Sequence, residues 1–382
     1  MSLLALTVRV RGSSRPSVCT TPEVDALVAG GAPVGIGVSG GKDSTAVAFA
    51  VNEHLDAVCH TGPRLLVHAD LGVTEWADSL PACQRLADRL GLELLVVRRP
   101  QGDMMDRWEQ RWRDNVARYV NLSCVKVILP WSTPAMRFCT AELKVDQITR
   151  ALSRRYPGQA ILNVTGIRRE ESTERKNAPT AKCEPKLDSK DRDTTGVTWN
   201  AIAHWSLDDA LGIAADRGFA QHEGYTRFGS RRISCVYCIL ATESDHRISA
   251  GDERNLAVGR RMTDLEIAST FGFQGNRWLG DTLTEHLSPE QRDGITLAKD
   301  RAARRVRADS KIPKHLLYVK GWPTCVPTRD EAVLLGAVRF AVADAVGLTP
   351  TFINPDEIIS RYEQLLALKA AKVAKKPRRK AA

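Results

Sequence analysis

The sequence predicts an α/β fold: a doubly wound, mostly parallel sheet with a helical C-terminal extension. Two observations carry the prediction. Between residues 34 and 165, short apolar runs alternate with amphipathic stretches of helical period, the pattern of strands and covering helices. From about residue 250 onward the pattern is mainly helical. A third observation locates the site. The loop 39–44, Asp70 and the Gly166-Ile167-Arg168 segment all fall at the carboxyl ends of predicted strands, where such sheets bind ligands.

Element by element, Thr21-Pro22 reads as an N-cap with proline at the first helical position, opening a helix over 22–28. Residues 34–38 (VGIGV) form an apolar run ending in a Gly-rich loop, which suits a buried parallel strand. Residues 44–55 read as a helix, 65–68 as a strand and 74–90 as a helix, with Leu80, Cys83, Leu86, Ala87 and Leu90 on one face. A strand over 92–97, helices over 104–120 and 141–155, and a strand over 161–165 follow. Residues 168–198 are polar and without period, so they predict a mobile loop or lid and not a packed layer. Ser206 caps a helix over 206–217. These elements divide the chain into an N-terminal extension (1–30), a nucleotide-binding domain (31–248), a helical domain (249–360) and a basic tail (361–382).

Composition narrows the class. No apolar run approaches the ~20 residues that cross a bilayer, and the apolar stretch near the N-terminus precedes its basic residues, the reverse of a secretory signal. A cytoplasmic protein without membrane attachment is expected. The net charge of +10 suits an anionic partner. Part of the excess lies in the last residues (Lys369, Lys372, Lys375, Lys376, Arg378, Arg379, Lys380), a solvated tail or a nucleic-acid tether. A second basic run spans 299–307 and reads as one helix face. Nine cysteines in such a chain do not suggest a disulfide framework, and most read as buried thiols.

The chemistry concentrates in Ser39-Gly40-Gly41-Lys42-Asp43-Ser44, between a strand and a helix. Glycines let the backbone approach an anion without a Cβ in the way. Amides at the helix start, with the dipole behind them, bind phosphate. Ser39 and Ser44 offer hydroxyls and Lys42 a charge, while Asp43 suits holding Mg²⁺ or ordering the loop. Arg168, Arg169 and Arg175 on a strand-end loop could clamp a polyanion, or pair with Glu170, Glu171 and Glu174.

The loop resembles the PP-loop of the adenine-nucleotide alpha-hydrolase superfamily, whose Rossmann-like enzymes cleave ATP between the α- and β-phosphates. Further segments resemble its phosphoadenosine phosphosulfate (PAPS) reductase-like branch: His68-Ala69-Asp70-Leu71-Gly72, Phe138-Cys139-Thr140 with Lys144, Gly166-Ile167-Arg168 through Ser172 and Arg175, and the Trp199–Trp205 region. The resemblance covers about residues 33–245. It implies ATP and Mg²⁺ as ligands, with Asp70, Gly72 and Gly166 lining the nucleotide site. Lys42, Asp43, Lys144, Arg168 and Arg175 would then act on phosphate or on an anionic substrate. The Glu-Cys-Gly-x-His nucleophile segment of true PAPS reductases is absent, and Cys325 sits in a different context, Pro323-Thr324-Cys325-Val326-Pro327.

Cys235 and Cys238 form a CxxC pair, and by the resemblance Cys139 would join them on a [4Fe–4S] cluster, with Cys183 an optional fourth ligand. Zinc, or no metal, remains an alternative. The reading that follows is ATP-dependent adenylation of an acceptor for sulfur transfer, with DNA, tRNA or a small molecule left open as acceptor and a sulfur-donor protein as a candidate partner. Two alternatives stand beside it: a divergent PAPS or APS reductase, and a non-catalytic, nucleotide-gated nucleic-acid-binding protein. His204 and His222 read as packing residues or proton carriers, and Trp108, Trp112 and Trp131 as core.

Overall fold

The computed structural model describes residues 16–374. The first half of the expected N-terminal extension and the tail beyond residue 374 lie outside the described residues. In chain order the elements are α1 (Pro22–Ala29), β1 (Val34–Val38), α2 (Lys42–Ala57), β2 (Arg64–Asp70), α3 (Ser79–Leu90), β3 (Glu93–Arg98), α4 (Met104–Val120) and α5 (Phe138–Thr140). Next come a π-helical turn (Ala141–Val145), α6 (Asp146–Arg155), β4 (Ala160–Val164), β5 (Ala181–Cys183), β6 (Thr195–Trp199), α7 (Leu207–Asp216) and α8 (Glu223–Thr226). The remainder is helical: α9 (Glu243–Ser249), α10 (Glu253–Ser269), α11 (Leu279–Thr282), α12 (Pro289–Asp309), α13 (Arg329–Val346) and α14 (Pro355–Ala374).

These elements form two compact units. The first takes in residues up to 70, 75–99 and 140–234; the second takes in 71–74, 100–139 and 235 onward. Residues 100–139 therefore group with the C-terminal helices, although they fall inside the nucleotide-binding domain drawn from sequence.

The first unit holds a six-stranded sheet of order β3-β2-β1-β4-β6-β5, parallel except for β5. Successive side chains of β2 feed opposite cores, as the period of a strand requires. Leu66 packs with Val47, Val51, Leu86 and Ile213 on the face of α1, α2, α3 and α7. Leu65 and Val67 pack with Leu152 of α6 and with Tyr156 just beyond it on the other. That is the doubly wound arrangement the sequence predicts. The alternating glycines of β1 have a packing cause: a Cβ on Gly35 would come within 2.9 Å of Leu152.

Residues 168–198 depart from the expected loop. They include β5 and β6, and β6 is an interior strand paired with β4 on one side and β5 on the other. Thr195-Gly-Val-Thr-Trp lacks an apolar run, so its local sequence does not announce a buried strand. Burial comes from long-range partners. Leu187 lies over Gly196, where a Cβ would clash, Thr198 donates to Glu184 at 2.9 Å, and Trp199 joins the α2-side core. The helix expected from residue 74 begins at Ser79, after a 3₁₀ turn over Gly72–Thr74.

The second unit packs α12, α13 and α14 with residues 119–127 around Leu335, Val338, Val342, Ile358 and Tyr362. Trp108, Trp131 and Phe273 meet edge-to-face with centroids 5.1–5.7 Å apart, so Trp108 and Trp131 are core residues, as expected. Glu266 is fully buried and accepts from the Phe273 amide at 2.6 Å, Leu279 at 2.8 Å and Gly280 at 2.9 Å. No described helix is long and apolar enough to cross a membrane.

Candidate active site

The phosphate loop lies wholly in the first unit. β1 delivers Ser39, and α2 starts at Lys42 with Gly41 as an extended N-cap and no side-chain cap. The start of this 16-residue helix is left to backbone amides at the positive end of the dipole, the arrangement that attracts phosphate. Gly40 has φ +76°, a conformation that favours glycine. Ser44 donates to the Gly41 carbonyl at 2.8 Å and accepts from the Ser39 amide at 3.2 Å; the two hydroxyl oxygens are 3.4 Å apart. The serines thus close the loop on itself.

Gly166, just beyond β4, supports the loop from the side. A Cβ there would come within 2.7 Å of the Asp43 carbonyl oxygen and 3.1 Å of the Ser44 amide nitrogen. Only glycine lets this strand end touch the start of α2.

Two residues that sequence reasoning left out of the site stand against the loop. The Tyr225 hydroxyl accepts from the Lys42 amide at 3.1 Å, and its ring lies 5.7 Å from the Lys42 ammonium. Burial pushes the Tyr225 phenol up to about 12, so it stays protonated. His222, considered from sequence only as a packing residue or proton carrier, is fully buried, and its ring would meet a Cβ on Gly40 at 3.0 Å. Its Nδ1 accepts from the Gly224 amide at 2.9 Å, which leaves Nε2–H to donate to Ser79 at 3.3 Å. Burial holds it neutral, with a pKa near 4, despite the Asp78 carboxylate 4.0 Å away. His222 thus packs against the loop as a neutral ring. No local motif marks either position, because both contacts arise from the return of the 221–234 segment onto the loop. A small hollow lined by Gly40, Lys42, Thr45, Phe219, His222 and Tyr225 lies beside it. His204 is exposed.

His68, on β2, carries charge beneath the loop. Its Nδ1 is 3.1 Å from the Val38 carbonyl and its Nε2 is 3.1 Å from the Glu75 carboxylate. Both partners accept only, so both ring nitrogens donate and the ring is an imidazolium. Burial works against that charge, but the Cys83 and Glu75 contacts outweigh it and raise the pKa to about 10.

The predicted charged residues are mostly paired. Arg168 is 4% exposed and its Nε donates to Asp43 at 2.6 Å. Its second nitrogen is 3.5 Å from Glu170 but lacks hydrogen-bond geometry. Asp43 also lies 3.6 Å from the Lys42 ammonium, which donates to the Arg231 carbonyl at 3.4 Å. Arg175 pairs with Glu171, and Arg169 donates to the Ala178 carbonyl at 2.9 Å. The arginine loop is thus largely paired within itself, with Arg168 bridging to the phosphate loop and keeping one buried nitrogen without a hydrogen bond. Asp70 pairs with Arg98 at 2.7 Å across β2 and β3. Lys144 sits half-buried in the π-helical turn, and among the described residues no hydrogen bond or ion pair ties it to the loop. Gly72, with φ +70°, belongs to the second unit and backs onto Asp103.

The cysteines divide as well. Cys139, Cys235 and Cys238 are half-buried and lie in the second unit; Cys183 is exposed on β5 in the first. The CxxC turn is well held: His246 Nε2 donates to the Cys238 carbonyl at 3.1 Å, and Gln274 donates to the Ile239 and Ala241 carbonyls at 2.8 and 2.9 Å. Yet among the described residues no group of three or more His, Cys, Asp or Glu side chains is arranged to hold a metal ion. Only Cys83 and Cys124 are fully buried, fewer than the sequence suggests.

Among curated proteins none matches the chain. A family model, the phosphoadenosine phosphosulfate reductase domain, matches residues 34–241, more than half of the chain and all six strands. The glycine-supported loop at the end of β1 and the Gly166–Arg175 segment at the end of β4 both fall within that match. The chain belongs to the phosphoadenosine phosphosulfate reductase domain family, in the PAPS reductase-like branch of the PP-loop superfamily.

Proposed function

We propose that the protein is a PP-loop ATP pyrophosphatase that adenylates an acceptor, as the first half of a sulfur transfer onto a nucleic acid. The observation that carries this reading is the uncapped start of α2 behind Gly40 and Gly41, pinned by Gly166 and by Tyr225. Such a start takes the β- and γ-phosphates of ATP by backbone amides, with Lys42 adding charge.

In the adenylation step an acceptor oxygen attacks the α-phosphorus. The new O–P bond forms as the bond to the bridging α,β-oxygen breaks, and pyrophosphate leaves with the electron pair. A sulfur nucleophile, brought by a donor protein, then displaces AMP from the activated carbon. Lys42 and the α2 amides stabilise the charge that grows on departing pyrophosphate. Mg²⁺ would neutralise further phosphate charge; Asp43 fits that role only by sharing a carboxylate already paired with Arg168.

The test is product analysis with ATP labelled at the α-phosphate, in the presence of candidate acceptors. AMP and pyrophosphate are expected, together with loss of turnover in Lys42→Ala. ADP and phosphate would refute the reading. Sulfite from PAPS or APS with a thiol donor would move the protein to the reductase side of its family.

A further inference from the structure

The positive charge of this chain is concentrated in the second unit. Residues 299–320 hold eight Lys and Arg against two Asp, more than half of the chain's net +10. At the end of α12, Arg307, Lys311 and Lys314 are exposed, and among the described residues none takes a carboxylate partner. The chain then folds back: Thr324 donates to the His315 carbonyl at 3.1 Å, and Val319 and Trp322 exchange hydrogen bonds at 2.8 and 3.2 Å. Between them Lys320 and Gly321 form a two-residue turn, both left-handed, with φ +51° and +82°.

A lysine is an unusual choice there. Left-handed backbone costs a residue with a Cβ, and Asn, Asp or Gly is the usual solution. The turn holds an ammonium at its tip at the expense of local strain. The C-terminal part of α14 completes the surface. Lys369 donates to the Pro323 carbonyl at 3.4 Å, and the Lys372 ammonium lies 5.0 Å from the centre of the Trp322 ring. Glu331, at the start of α13, is taken by His315 at 2.7 Å.

We propose that this face, from Lys311 and Lys314 through Lys320 to Lys372, binds the phosphate backbone of a double-stranded nucleic acid. Spread lysines suit a line of phosphates, whereas single strands call for open aromatic platforms. The Trp322 ring in this turn is half-buried with Lys372 over it. The surface deepens the reading of a nucleic acid as acceptor but does not depend on nucleotide cleavage.

The test is fluorescence anisotropy of a 24-base-pair duplex (about two helical turns) against salt, using the full chain. The variant is Lys311→Ala, Lys314→Ala and Lys320→Asn combined; asparagine suits the turn, so the fold-back is kept. Each lost phosphate contact should weaken binding by up to roughly tenfold near 0.1 M salt, and three should flatten the log–log salt slope by about 2.7. Unchanged affinity and slope would overturn the proposal. So would a wild-type chain that ignores duplexes, or one whose lysines are needed only for anionic lipid vesicles. Lys42→Ala should retain duplex binding while losing pyrophosphate release, which separates failure of this surface from failure of the ATP reading.

Discussion

Replacing Gly166 by alanine tests whether the end of β4 shapes the phosphate loop. The added methyl would sit 2.7 Å from the Asp43 carbonyl oxygen and 2.9 Å from its carbon, both backbone atoms that no side-chain rotation can move away. Restoring ordinary contact at 3.4 Å requires the start of α2 and the strand end to part by roughly 0.7 Å. Overpacking of this kind costs about 1–3 kcal/mol, and a displacement near 1 Å at a reacting site can cost about a hundredfold in rate. Gly41→Ala is the internal control. Its nearest neighbour would be 3.6 Å away and its φ is −81°, so its stability cost should stay under about 1 kcal/mol. Urea unfolding with ATP-binding calorimetry on both variants reads the two effects separately. If Gly166→Ala unfolds and binds ATP like the wild type, the loop is not braced by this contact and the argument fails.

Asp43→Ala should destabilise the fold by about 3 kcal/mol even in EDTA, because it strands the Arg168 guanidinium, 4% exposed, without its carboxylate. A loss seen only with Mg²⁺ and nucleotide would assign Asp43 to the metal instead. Tyr225→Phe removes the acceptor of the Lys42 amide at 3.1 Å and should cost about 1 kcal/mol together with weaker ATP binding; calorimetry showing wild-type affinity would count against the site as drawn. Burial pushes the Glu266 carboxyl up to about 7, against the pull of three amide donors. The folded state then keeps a proton that the unfolded carboxyl releases near pH 4.5, so stability should fall as pH rises from about 4.5 to 7. Glu266→Gln should flatten that slope in thermal melts and lower stability throughout by about 1–3 kcal/mol, since its amide nitrogen cannot accept from Gly280. An unchanged slope would reject the assignment.

The alternation of apolar runs and amphipathic stretches made β1 to β4 legible, because each of these strands carries its own burial in its local pattern. The phosphate loop was legible for the same reason: its glycines, serines and lysine are contiguous and sit between a strand and a helix. β6 was not, because Thr195-Gly-Val-Thr-Trp is buried by Leu187, Glu184 and the α2-side core, which its own residues do not encode. The arginines were visible as charges, but their partners were open. Arg168 meets Asp43 across 125 residues of chain, and only folding brings them to 2.6 Å.

What the sequence by itself determined is the class of fold and the place of the Gly-rich loop between β1 and α2, both written in short-range patterns. The tertiary structure alone decided that Tyr225 and Gly166 brace that loop and that Arg168 is spent on Asp43. These are contacts between residues far apart in the chain, and no local pattern specifies which distant atom fills the space beside a given side chain.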